Sequence, residues 1–198
     1  IRLSVDDRCL SMWELFHVGG LVDLLLAPLH SGGVVIATKG FDATGFFDAL
    51  EDARPTWFQG VPTALRELTV HAERQGTDHR GSSLRLIRSV AAALSPALMI
   101  EIEQTFGVPV LQTFGMTEAG PLITSTPLDG EQVRGSVGFS CGTEVAVFDP
   151  HWSRLKAGQA GEVAIRGPNA FAGYEADPIA NAEAFRDGWV RTREVGRR

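Results

Sequence analysis

Lysine is scarce in this chain. Of its 18 basic side chains only Lys39 and Lys156 are lysines, and no basic stripe forms anywhere along the 198 residues. Acidic residues number 24, giving a formal net charge of −6, which argues against a general nucleic-acid or polyphosphate surface built on clustered positive charge. Only two cysteines occur, Cys9 and Cys141, far apart and without metal-ligand spacing, so neither a disulfide framework nor a zinc site is expected. The longest apolar run, 18–29, is interrupted by Asp23 and falls short of the roughly 20 residues that span a bilayer; it is expected to form a buried helix. No internal repeat or low-complexity segment is present. The start carries no initiator Met, charged leader or apolar signal core, and the end stops at Arg197-Arg198 with no element to close on. An internal piece of a longer protein is the expectation, in a reducing, cytoplasmic setting.

What the chain does have is enough apolar matter for one core and part of another: 44% hydrophobic residues and a mean hydropathy of +0.03. Gly32-Gly33 stop the first helix before the β-branched run Val34-Val35-Ile36. Asp42 can cap a helix reaching about Arg54, Pro55 ends it, and Thr56-Trp57-Phe58 reads as a strand. Pro62 opens a helix to about Gln75, followed by a strand over 84–89. Ser95-Pro96 open another helix that ends at Gly107, before an apolar strand over 108–112. Strand and helix thus alternate through residues 1–125, which predicts an α/β fold with a doubly wound, mostly parallel sheet. From 126 to 198 the texture changes to alternating strands such as 144–148 and 162–166 between Gly, Pro and Asp turns, which predicts a β-rich subdomain or partial barrel. Trp57 and Trp189 are expected in the core, and Arg85, Arg88 and Arg166 on solvated faces.

Ligands of open α/β sheets bind beyond the carboxyl ends of the strands. The loop after the strand ending at Gln112 is Thr113-Phe114-Gly115-Met116-Thr117-Glu118. It combines an aromatic face for a base, a glycine permitting close backbone approach, a hydroxyl for phosphate and a carboxylate for Mg²⁺. A packed turn, with Phe114 and Met116 in the core and Glu118 capping a helix, accounts for the same residues equally well.

Phe114 to Glu118 resembles the Tyr-Gly-Met-Thr-Glu signature of the adenylate-forming superfamily of acyl-CoA synthetases, luciferases and peptide-synthetase adenylation domains. Residues 15–21, 60–63, 88–95, 161–174 and 185–192 are similar to further motifs of that family and occur in family order. The resemblance implies a two-step reaction: a carboxylate attacks the α-phosphate of ATP, releasing pyrophosphate, and CoA then displaces AMP from the acyl-adenylate. It implies a nucleotide site of Ser89, Ala91, Ala92, Ala93, Gln112, Thr113, Phe114, Gly115, Met116, Thr117 and Glu194. Phe114 would stack the adenine, the Ser89–Ala93 loop would pass under it, and Thr117 would contact phosphate. Glu118 would hold Mg²⁺, and His17 would lie between acid and nucleotide; the alternative for His17 is a helix-end histidine bonded to backbone. The implied partners are a small carboxylic acid, ATP and CoA, with no nucleic acid and no membrane span.

One departure stands out. Where the family reads Thr-Gly-Asp, with the Asp on the ribose hydroxyls, this chain reads Thr192-Arg193-Glu194, replacing a glycine where backbone room is needed. The family's lysine-bearing phosphate loop and small C-terminal domain lie outside these residues, so the piece alone is expected to be inactive. Two other readings stay open: an adenylation domain loading a carrier-protein thiol, and a non-catalytic nucleotide-binding relative. Glu162 and Tyr174 read as edge and turn residues, outside the site.

Overall fold

The computed structural model describes residues 1–130 and 132–198. Strand β1 (Arg8–Ser11) leads into helix α1, wide-turned over Gly19–Leu26 and α-helical over Ala27–His30. Then follow β2 (Val34–Ala37), α2 (Ala43–Asp52), β3 (Trp57–Gly60), α3 (Pro62–Gln75), β4 (Leu86–Ser89), α4 (Pro96–Phe106) and β5 (Val110–Phe114). The five strands pair in parallel in the order β2-β1-β3-β4-β5, so their carboxyl ends share one edge. Two short strands, β6 (Thr124–Ser125) and β7 (Phe139–Ser140), extend this sheet antiparallel from β5. A second, antiparallel sheet holds β8 (Glu144–Phe148), β9 (Ala160–Arg166), β10 (Phe185–Arg186) and β11 (Trp189–Arg197) in the order β10-β11-β9-β8, with α5 (Pro178–Ala184) before β10.

The expected punctuation is where the helices begin and end. Asp42 accepts the Gly45 N–H at 2.6 Å and opens α2. Ser95 accepts the Leu98 N–H at 3.2 Å and opens α4, whose far end is Gly107 at φ 69°. Several elements escaped the sequence pattern, β1 above all. Its four residues follow Asp6-Asp7 and carry no alternation of their own, yet they form an inner strand of the sheet.

Pleating separates two cores. Leu10, Phe58, Ile87 and Val110 point to one side, where α2, α3 and α4 cover them with Phe46, Leu68 and Phe106. Cys9, Trp57, Leu86 and Leu111 point to the other side, under α1 and its Leu24. Burial pushes the Cys9 thiol far above its ordinary range, so it behaves as a core residue.

Two expectations are corrected here. α1 is not buried all round: Leu21, Leu26 and Leu29 are exposed, and its inward side presents Gly19, Gly20, Asp23 and Leu24. Arg88 is not on a solvated face either. The parallel register puts it beside Gln59 on the α1 side of the sheet, 3% exposed, with Nη2 at 3.6 Å from Asp23. Arg166 is exposed, and Trp57 and Trp189 are core residues, as expected.

The amino ends of β1, β3 and β4 are fastened by one buried carboxylate. Asp7 accepts from Arg85 Nε at 2.7 Å and Nη2 at 3.0 Å, from Thr56 Oγ1 at 2.8 Å and from the Ser4 N–H at 2.8 Å. Burial pushes this carboxyl up, but the Arg85, Ser4 and Thr56 hydrogen bonds outweigh it and hold the group below its ordinary 3.8. No helix among the described residues is long and apolar enough to cross a membrane.

Removing one partner of such a cluster strands the other, so Asp7→Ala should cost about 3 kcal/mol in urea denaturation. Because the folded-state pKa is depressed, the Asp7 contribution is present above the unfolded value near 3.8 and fades as pH falls through the folded one. The gap between wild type and Asp7→Ala should therefore close in acid; a gap constant down to pH 2 would contradict the assignment.

Candidate functional site

Three loops converge at the carboxyl edge of the parallel sheet, after β3, β4 and β5. Between them and the entry to α1 lies a cavity of about 160 Å³, whose wall includes Trp13, His17, Gln59, Val90, Met116 and Thr117. On the other side of the β5 loop runs a larger groove of about 1280 Å³, lined by Ala92, Ala93, Gln112, Phe114, Gly138 and Glu194, among others. Ala91, Thr113 and Gly115 line both. The loop expected from sequence is therefore the partition between two spaces.

The backbone of this partition is constrained. A Cβ at Gly115 would overlap the Pro121 carbonyl, so only glycine lets the loop fold back on itself. Ala91 adopts φ 68°, a left-handed conformation unusual for a residue with a Cβ. Thr117, Glu118 and Ala119 form a single 3₁₀ turn. Thr117 is exposed and Glu118 partly so, and Phe114 and Met116 pack half-buried against Ile123, Ile165 and Val190. The two aromatic-site readings thus coexist: one face of Phe114's loop packs, the other lines the groove.

The second sheet holds the loop from outside. Phe171 donates its N–H to the Glu118 carbonyl at 2.7 Å, and Asn169 Nδ2 donates to the Ala119 carbonyl at 2.6 Å. The Tyr174 hydroxyl donates to Glu118 Oε1 at 2.8 Å, and this bond, with some desolvation, raises the phenol above its ordinary 10.0. The His17 ring lies tilted by 30° against Trp13 with centroids 5.0 Å apart, and its Nδ1 accepts the Gly19 N–H at 3.0 Å. In the neutral ring that bond leaves the proton on Nε2, so the histidine is both backbone-anchored and a donor at the cavity wall.

Residues 1–175 match the family model described as AMP-binding enzyme. The chain belongs to the AMP-binding enzyme family. A probable CoA ligase of Humulus lupulus is 39% identical over 199 residues, covering 98% of this chain and 38% of that protein. An oxalate–CoA ligase of Arabidopsis thaliana is 38% identical over 200 residues, with coverages of 98% and 38%. Among solved structures, ATP-bound MatB from Rhodopseudomonas palustris superposes with a TM-score of 0.88 at 32% identity, covering 99% of this chain and 39% of that one. This AMP-binding family member therefore spans a little over a third of the length of the relatives it matches.

Of the residues singled out from sequence, Ala91, Ala92, Ala93, Gln112, Thr113, Phe114, Gly115, Met116, Thr117, His17 and Glu194 all line one of the two spaces. Ser89 does not: it is fully buried at the end of β4, with its carbonyl accepting from Thr113 Oγ1 at 3.3 Å. Glu118 lies just behind the partition. Tyr174, set aside as a turn residue, is its partner, 56 positions away in sequence; Gly173-Tyr174 inside a family-like motif was the available signal. Glu162, by contrast, is a sheet residue in an ion pair with Arg191 at 2.7 Å.

Arg193 sits at φ 61°, in the irregularity where the β11–β9 register shifts between Arg191 and Val195. The left-handed conformation belongs to this bulge in the ladder. The Arg193 side chain turns outward to Glu183 at 3.0 Å, leaving Glu194 on the groove.

Two outcomes follow from this geometry. Arg193→Gly relieves the left-handed conformation and should stabilise the protein by about 1 kcal/mol in thermal denaturation. The Tyr174 phenol should titrate above 10.0 and fall back toward it in Glu118→Gln, as read by NMR of labelled tyrosine. The bond is intact at and below neutral pH and is lost as pH rises through the raised value.

Proposed function

We propose that the full-length protein is an ATP-dependent, AMP-forming acid–CoA ligase, and that this chain supplies its acid cavity and much of its nucleotide groove. The observation that carries the reading is the partition: one loop, 113–118, separates a small cavity from a larger groove, so that two ligands meet across it. The relatives named above as CoA ligases and the ATP-bound structural neighbour support the same assignment. An α/β part through residue 125 and a β-rich part from 126 onward are proposed as the two walls of the groove.

In this reading adenine stacks on Phe114, with the exposed Ala91–Ala93 loop against its other side. Glu194 accepts from the ribose hydroxyls. A carboxylate oxygen of the acid, held in the small cavity, attacks the α-phosphorus; the bond to the bridging oxygen breaks and pyrophosphate departs. Thr117 donates its hydroxyl to phosphate, and His17 Nε2 donates at the junction of acid and nucleotide. These groups position reactants and stabilise charge as it moves, with no covalent intermediate on the protein. A CoA thiolate then attacks the acyl carbon and AMP leaves.

Glu118 fits a Mg²⁺ ligand. Tyr174 occupies one carboxylate oxygen and leaves the other, and no cluster of three metal-ligating side chains exists among the described residues. Mg²⁺ favours such a setting, one carboxylate with phosphates and water, over an all-protein cage. When bound it neutralises phosphate charge.

The outward turn of Arg193 favours a working ligase over a non-catalytic relative, because the substitution leaves the groove open. ATP–pyrophosphate exchange by the full-length protein across a panel of carboxylic acids tests the reading. Acid-dependent exchange should appear and fall about 10²–10³-fold in Glu118→Ala. A folded protein that exchanges with no acid would instead point to the non-catalytic relative.

A further inference from the structure

The loop between β9 and α5 holds Glu118 twice. The Phe171 N–H donates to its backbone carbonyl at 2.7 Å, and further along the same loop the Tyr174 hydroxyl donates to its Oε1 at 2.8 Å. The two holding residues also brace each other, their rings meeting edge-on with centroids 4.8 Å apart. Phe171 is seated in the joint between the sheets, stacked on Phe185 at 5.1 Å and packed against Ala119, Ile123, Ile165 and Val190. Glu118 thus has its backbone and its carboxylate fixed from one side.

The loop is clamped in turn from α5. One side-chain amide, that of Asn181, takes both backbone groups of Tyr174: Oδ1 accepts the N–H at 2.6 Å, and Nδ2 donates to the carbonyl at 2.8 Å. A flipped amide would set donor against donor and acceptor against acceptor, so the contact also fixes which way the amide points. Gly173, at φ 138°, permits the approach, since a Cβ there would sit 2.8 Å from Asn181 Oδ1. Asp177 caps α5 by accepting the Ala180 N–H at 2.9 Å, and its carbonyl accepts the Asn181 N–H at 3.0 Å, so the amide stands on a fixed turn.

An isolated hydrogen bond on a surface exchanges readily with water and adds little stability. The Tyr174–Glu118 bond is exposed, yet neither end is free, because Phe171 fixes one backbone and Asn181 the other. What such a bond supplies is direction: it commits Oε1 and leaves Oε2 as the open acceptor beside the exposed Thr117. We propose that Tyr174 and Asn181 are positioning residues for the cation bound by Glu118, Tyr174 by fixing the carboxylate and Asn181 by fixing Tyr174. This rests on the cation role that the ligase reading gives Glu118 and deepens it. A glutamate on an exposed turn has several rotatable bonds to immobilise when it takes up a metal, and one already held loses less freedom. Mg²⁺ accepts little departure from its octahedral geometry, so a carboxylate presented in one pose suits it better than a mobile one.

The test is calorimetric binding of ATP to the full-length protein without any acid, once in Mg²⁺ and once in EDTA. Tyr174→Phe and Asn181→Ala should each weaken binding in Mg²⁺ by about tenfold, the loss typical when a group that orients a metal ligand is removed. Binding in EDTA should stay as in the wild type, which separates positioning of the cation from damage to the groove. Because Asn181 acts through Tyr174, the double variant should bind no more weakly in Mg²⁺ than Tyr174→Phe alone. Asn181→Asp keeps the acceptor for the Tyr174 N–H, should lose less, and serves if Asn181→Ala does not fold. Unchanged binding in Mg²⁺ for both single variants, an equal loss in EDTA, or additive losses in the double variant overturns the inference. Acid-dependent ATP–pyrophosphate exchange by the wild type tests the ligase separately: exchange with unchanged Mg²⁺ binding in the variants removes only the positioning role. Lack of exchange with every acid, with binding in Mg²⁺ still dependent on Tyr174, keeps the positioning role and removes the ligase.

Discussion

The parallel register of β3, β4 and β5 is the constraint on which the rest of this molecule depends. Pairing Gln59 with Arg88 and Ser89 with Gln112 brings three strands to a common edge, so the loops that follow them meet. The same pairing decides which side chains lie beneath those loops. One residue of slip would send Phe58 and Ile87 under α1 and turn Gln59 and Arg88 into the apolar core beneath α3 and α4. The Asp7–Arg85–Thr56 cluster holds that register at the opposite, amino-terminal edge, remote from the cavity.

A second constraint is the joint between the sheets. Ile123 from the large sheet's loop packs with Ile165 and Val190 of the small one, and hydrogen bonds from the Phe171 N–H and the Asn169 side chain fix the turn at Glu118 and Ala119. The proposed nucleotide groove has walls from both sheets, so its width is set by this apolar contact and not by either sheet alone. Tyr174 links the same contact to the one carboxylate proposed to hold a cation.

Much of the fold was legible. Caps and stops at Asp42, Pro62, Ser95 and Gly107 mark helix ends because they satisfy local backbone needs, which sequence states directly. The loop at 113–118 was legible for a similar reason: its residue types and spacing are the chemistry. Strand β1 was not, since four residues have no period to read and their place in the sheet comes from neighbours on either side. Arg88 misled for a related reason, as an arginine in a short strand looks solvated until a helix is laid across it.

The sequence by itself determined the helix boundaries at Asp42, Pro62, Ser95 and Gly107, the family motifs and the residues of the β5 loop, because each depends on interactions within a few positions along the chain. Only the tertiary structure decided that Asp23, Gln59 and Arg88 form one buried polar floor, that Tyr174 serves Glu118, and that Arg193 turns away from the groove. Those facts join residues tens of positions apart, and they follow from strand register, helix placement and sheet-to-sheet packing, which no local pattern specifies.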